Sequence, residues 1–257
     1  MFSFIRHWLE RRTISRSKIT TAQWQDAFAS LPLLDGLTDD EKQRLKELVI
    51  LFIERKSFDG AHGLVVTLPM ALIISLQACL PVLKLDMNAY DGWTSIIIYP
   101  AGFTPERKVV DENGVTHYEK NNLAGESWLN GPIVLSWDET DRAGVVDGAN
   151  LVIHEFAHKL DMENGVANGF PALHRDMLSS TWVDAFSQGF EQLQSRCRQG
   201  KPVDIDCYAA TSPAEFFAVL SEVFFERPNL INQHYPKIYQ LLQQYYRQNT
   251  LARFGYD

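Results

Sequence analysis

Asn150-Leu151-Val152-Ile153-His154-Glu155-Phe156-Ala157-His158-Lys159-Leu160-Asp161 is the stretch on which the reading of this chain turns. Its H-E-x-x-H core carries chemistry only as a helix, where histidines four residues apart share one face a turn apart. Ile153, Phe156, Ala157 and Leu160 recur at i, i+3, i+4 and i+7, an apolar stripe for burial. Asp147 or Asn150 can cap the start, and Asn164-Gly165 is a stop signal. On such a helix His154 and His158 can reach one Zn²⁺, and Glu155 lies beside them to take a proton from water. The bland alternative is two partly exposed histidines on an ordinary helix.

Upstream, Trp93-Thr94-Ser95-Ile96-Ile97-Ile98-Tyr99-Pro100 and Gly131-Pro132-Ile133-Val134-Leu135-Ser136-Trp137 read as strands. Asp111-Glu112-Asn113-Gly114 reads as a hairpin turn between residues 107–110 and 115–118. Helices are expected over residues 22–30, from the Thr38-x-x-Glu41 capping box to about 56, and over 70–80. After the motif the chain reads as helical over 182–198, 212–226 and 237–248. Strands before and helices after predict an α+β fold with a small mixed or antiparallel sheet, not alternating β-α-β units. Residues 21–257 are read as one domain, with an α/β part to about 165 and a helical part from 166. Residues 1–20 are read as a basic lead-in, poorly ordered or a short helix.

The 257-residue chain is 46% hydrophobic and 22% charged, ordinary for a globular protein with a large core. A formal net charge of −8 argues against direct nucleic-acid binding through bulk electrostatics. Cys79, Cys197 and Cys207 form no C-x-x-C pair, which predicts a reducing, cytoplasmic setting without a disulfide framework. Residues 64–83 are apolar, but Pro69 and Pro81 interrupt them, whereas a transmembrane helix needs about 20 continuous residues. The basic, aromatic-containing start around Trp8 and Arg11-Arg12 offers a second reading, contact with a membrane surface.

A catalytic zinc takes three protein ligands and leaves one position for water. A metzincin would continue with glycine and a third histidine where this chain has Asp161 and Asn164, so the third ligand must be a distant carboxylate. Glu163 is too close on the same helix and Glu191 lies on a polar face. Glu215 and Glu222 are seven apart and share a face of one helix, opposite Phe216, Val219, Leu220 and Val223. Such an acidic face ordinarily means solvent, and Ser212-x-x-Glu215 doubles as a capping box. The residues alone leave both glutamates open.

The motif over residues 154–161 and Tyr208-Ala209-Ala210-Thr211-Ser212-Pro213-Ala214-Glu215-Phe216-Phe217-Ala218-Val219-Leu220-Ser221-Glu222 together resemble the Mlc titration factor A family of bacterial zinc metallopeptidases. Shorter similarities lie at residues 77–83, 96–100 and 125–137, so the resemblance spans roughly residues 30–245. It implies a zincin-like core, similar also to the catalytic domain of anthrax lethal factor. It implies Glu215 as third zinc ligand, Tyr208 as a phenol facing the substrate, and Glu222 behind a ligand histidine. His117 would be a displaceable fourth ligand in a resting form. The activity implied is aminopeptidase-like hydrolysis of a peptide substrate, which other zincins bind along an edge strand; residues 133–137 are the expected edge. The partner implied is the glucose-responsive transcriptional repressor Mlc, with control of sugar-uptake genes. Tyr239, Tyr245 and Tyr246 offer either a contact face for that partner or ordinary core packing.

Overall fold

The structure, a computed structural model, describes residues 2–102, 106–110, 116–120, 125–127, 131–142 and 145–256. Its helices are α1 (Phe2–Ser15), α2 (Thr21–Ala29), α3 (Asp39–Arg55), α4 (Leu68–Cys79), α5 (Trp137–Asp141), α6 (Leu151–Asp161), α7 (Ser179–Arg198), α8 (Pro213–Glu226), α9 (Pro228–His234), α10 (Pro236–Tyr246) and α11 (Thr250–Arg253). The strands are β1 (Ser57–Gly60), β2 (Ser95–Tyr99), β3 (Glu106–Val110), β4 (Thr116–Lys120), β5 (Gly125–Ser127) and β6 (Ile133–Ser136). The expected Thr38–Glu41 capping box forms as a hydrogen-bonded pair, and a second one, not anticipated from the sequence, joins Thr20 with Gln23 at the start of α2.

One sheet runs in the order β1-β2-β6-β5, and β3 pairs with β4 separately. The pairs β1–β2 and β2–β6 are parallel, while β5 is antiparallel to β6 and β3 antiparallel to β4. Two expectations are corrected here. The segment β1–α4–β2 is a β-α-β unit, because Ser57 to Gly60, where no strand was expected, pairs in parallel with β2. And β6 is not an edge: both of its sides are occupied, which leaves β5 and β1 as the outer strands. The turn expected at residues 111–114 lies outside the described residues, although the strands flanking it pair as a hairpin should.

The apolar character of α4 follows from its position, buried from Met70 to Leu72 and Ile74 to Cys79 between α3 and α6. Phe156 of α6 anchors the layer. Its ring lies 5.6 Å from Phe52, 5.2 Å from Tyr90 and 5.7 Å from Trp93, tilted or edge-on to each. On the other side α6 meets α8, which is buried from Phe216 to Glu226 and packs Phe217 against Trp182 of α7. Tyr239, Tyr245 and Tyr246 point into this core, with exposures of 3% or less, so the tyrosines of α10 are packing residues and not a contact face.

Gly169 joins three of these helices. Its N–H donates to Asp161 Oδ2 at 2.7 Å, and its carbonyl accepts from Trp182 Nε1 at 3.0 Å. It has φ +78°, and a Cβ there would stand 2.4 Å from the Pro213 carbonyl oxygen, so only glycine fits against the start of α8. The expectation of unpaired cysteines is also corrected: the last turn of α7 faces the 3₁₀ turn Cys207–Ala210, and Cys197 is bonded to Cys207. Cys79 is free and buried in α4. Among the described residues no helix is long and apolar enough to cross a membrane.

Candidate metal centre

Asn150 starts the site. Its side-chain oxygen caps α6 by accepting the Ile153 N–H at 3.0 Å, so the histidines enter on a fixed first turn. The helix is buried on all sides from Val152 to Asp161, more than the single apolar stripe implies. His154 and His158 therefore project into the gap between α6 and α8, not into solvent.

Glu215 meets them from the first turn of α8. Its backbone N–H donates to Ser212 Oγ at 3.2 Å, but its carboxylate does not close the capping box. Instead Oε2 lies 3.0 Å from His154 Nε2 and 3.4 Å from His158 Nε2, and the two ring nitrogens are 3.1 Å apart. Tetrahedral zinc with bonds near 2.0–2.1 Å would separate its ligands by about 3.3 Å, so the three donor atoms stand where one small cation requires them. Glu215 Oε2 is buried with no hydrogen satisfying it, which supports the same fit. The trio is a group able to hold a metal ion.

Glu222, two turns further along α8, settles the orientation of the first ring. Its Oε1 is 2.7 Å from His154 Nδ1, and its Oε2 accepts the Asn150 N–H at 2.5 Å. With Nδ1–H donating to the carboxylate, Nε2 presents a lone pair to the metal position. The acidic face of α8 is thus turned inward. Glu226 continues it, accepting from Asn150 Nδ2 at 2.9 Å and from the Gly148 N–H at 2.9 Å, and Asn150 Nδ2 also donates to Gln77 Oε1 at 2.8 Å.

Sequence reasoning missed Glu226, Gln77 and the central place of Asn150. The stripe Glu215, Glu222, Glu226 was visible at helical spacing, but without the burial of α8 it had no meaning. Asp161 is a second omission. It is fully buried one turn beyond His158, and its Oδ2 accepts the N–H groups of Asn168 and Gly169.

The site is strongly negative. Burial lowers the affinity of His154 for a proton, yet the carboxylates of Glu215 and Glu222 outweigh it and hold that imidazole well above its ordinary range. Burial raises the Glu215 carboxyl, but its contacts with both histidines hold it far below the carboxylate range. Glu155 makes no such contacts. Burial dominates there, against the pull of His154 and His158, and pushes its carboxyl up to about 7.

Tyr208 sits on the Cys207–Ala210 turn with its ring 6.0 Å from that of His154 and half exposed. Burial, then the charges of Glu215 and Glu155, push its phenol up to about 12, so it remains a proton donor at neutral pH. His154, Glu155 and Tyr208 open onto a cleft of about 420 Å³, rimmed by Glu139, Arg142, Asp147 and Asp206. His117 falls on β4 opposite Val109, and its side chain lies outside the described residues.

A histidine pair on one helix, a glutamate from another and a buried carboxylate beside them form the donor set of the metallopeptidase class. The sequence model of the glucose-regulated metallo-peptidase M90 family matches residues 5–247, and this chain belongs to that family. It is 41% identical over 238 residues to Mlc titration factor A of Serratia proteamaculans, covering 91% of this chain and 90% of that protein. It is 38% identical over 236 residues to Mlc titration factor A of Yersinia pestis, covering 90% of this chain and 86% of the relative. The Yersinia pseudotuberculosis protein of the same name has the same identity and coverage.

Proposed function

We propose that this chain is a zinc-dependent, aminopeptidase-like peptidase with a zincin-like core. The observation that carries the reading is the convergence of His154 Nε2, His158 Nε2 and Glu215 Oε2 within 3.4 Å of one another beside the buried Glu155. These three residues would hold Zn²⁺, whose Lewis acidity polarises a scissile carbonyl and acidifies water. Glu155, buried beside them, is placed to accept a proton from water and return it to the departing amine. The Tyr208 phenol donates to the oxygen on which negative charge develops. Glu222 keeps the His154 ring turned so that Nε2 faces inward. The peptide would lie extended along β5, the outer strand next to α6. His117, carried over from the family resemblance, is proposed as a displaceable fourth ligand, and His117→Ala should then raise activity.

Glu155→Gln tests the reading. It should abolish hydrolysis of chromogenic amino-acid anilides while leaving about one zinc per chain. Retained turnover would remove the assigned base.

A second reading is favoured by the name of the relatives, Mlc titration factor A. By similarity this chain would bind the transcriptional repressor Mlc, acting in the cytoplasm, with or without hydrolysis. Capture of Mlc by the Glu155→Gln protein separates a titrating role from a catalytic one. The Cys197–Cys207 bond is unusual for that compartment, so trapping its redox state in cells tests the location as well.

A further inference from the structure

The N-terminal helix is unlike the rest of the molecule in charge and in packing. Residues 1–20 carry Arg6, Arg11, Arg12, Arg16 and Lys18 against the single carboxylate of Glu10, on a chain whose formal net charge is −8. That carboxylate is already engaged, 2.6 Å from Arg55 in an ion pair that ties α1 to α3. Ile5, Trp8 and Leu9 stand at i, i+3 and i+4 on one face of α1, with exposures of 50%, 53% and 49%. Arg12 continues that stripe, Arg16 follows just past the end of α1, and the Arg12 guanidinium lies 5.4 Å from the centre of the Trp8 ring. From Leu9 onward the face borders a groove of about 520 Å³. Its lining combines three cations (Arg12, Arg16, Lys18) and one carboxylate (Glu54) with apolar side chains that include Ile50, Ile53 and Leu68.

From this arrangement we infer that α1 is a peripheral membrane-binding surface for anionic phospholipid. The inference does not depend on the peptidase reading. An exposed tryptophan between aliphatic side chains and arginines suits the headgroup boundary, where the ring is half wetted and cations meet phosphates. At 14 residues α1 cannot span a bilayer, so it lies along the surface. With three cations against one carboxylate beside apolar side chains, the groove matches a phosphate carrying acyl chains. A nucleic acid would use the charges and leave Ile5, Trp8 and Leu9 without a role. The acidic remainder of the chain orients the molecule, turning α1 toward an anionic surface and the rest away.

Vesicle co-sedimentation of the full chain tests this. Binding is expected to phosphatidylcholine vesicles containing about one third phosphatidylglycerol, to be at least about tenfold weaker without the anionic lipid, and to fall as salt approaches about 0.5 M. Arg12→Glu with Arg16→Glu should reduce partition by about tenfold or more, and so should Ile5→Ser with Trp8→Ala and Leu9→Ser. Both variants should keep the thermal midpoint and zinc content of the parent, since these side chains face solvent. Brominated lipid should quench part of the tryptophan fluorescence in the parent and less in Trp8→Phe. No binding to the anionic vesicles, equal binding to neutral ones, or binding untouched by both variants would overturn the proposal. So would loss in the charge variant alone together with binding of duplex oligonucleotides, which would identify a polyanion site.

Discussion

Glu222 Oε1 lies 2.7 Å from Nδ1 of His154, while the other oxygen of the same carboxylate holds the backbone N–H of Asn150 at the start of α6. One side chain therefore fixes both the tautomer of a ring in the candidate metal cluster and the end of the helix that carries it. Glu222→Ala should weaken zinc binding by about 10- to 100-fold, and Glu222→Gln by less, because the amide oxygen can still accept from Nδ1–H. Competition against a chromophoric chelator measures this. Unchanged affinity in the alanine variant would show that packing alone orients His154.

Tyr208 differs in kind, because it touches the cleft without joining the donor cluster. Tyr208→Phe keeps the ring beside His154 and removes only the O–H. The expected outcome is a fall in kcat of about 10²- to 10³-fold, with KM and zinc content nearly constant. A change confined to KM would assign the phenol to ground-state binding.

Glu226 gives stability a pH dependence of definite sign. Burial pushes its carboxyl from 4.5 up to about 7, outweighing the donors on Asn150 and Gly148 that favour the charged form. The folded state keeps a proton that the unfolded chain releases. This contribution is complete below pH 4.5 and is lost as the pH rises to 7, up to about 3 kcal/mol in all. Urea unfolding of chelator-treated protein between about pH 5 and pH 8 should show the decline, and Glu226→Gln should flatten it. Parallel curves for parent and variant would assign the slope to other groups.

The Cys197–Cys207 bond closes a loop of sequence separation 10 and adjoins Tyr208. Replacing both cysteines by serine should cost about 2 to 3 kcal/mol of stability through the freed unfolded chain. It should also lower kcat more than zinc content, since the Cys207–Ala210 turn loses its tether to α7. Denaturant titration and anilide kinetics on one preparation check both effects. A stability loss without a kinetic one would separate the bond from the phenol.

What the chain disclosed by inspection was local. The α6 stripe, the Thr38 and Asn150 caps and the β2 and β6 segments are short-range signals, and the structure contains them. What stayed hidden was pairing across distance. Ser57 to Gly60 has little strand character of its own and becomes β1 because β2 offers a parallel partner. Glu215 and Glu222 looked solvated because an acidic helix face ordinarily is, and only the docking of α8 on α6 reverses that. The Cys197–Cys207 contact likewise exists only once the chain after α7 folds back. Choosing between Glu215 and Glu222 by periodicity was impossible for the same reason, since both occupy one face and differ only in which ring nitrogen they meet.

The α6–α8 contact brings together donors that lie 61 positions apart, between His154 and Glu215. An extended chain can offer a cation little more than the histidine pair, so tight chelation is a readout of completed tertiary assembly and not a nucleus for it. A bound metal would then act as a latch on the finished interface, favouring the native chain by mass action as its free concentration rises.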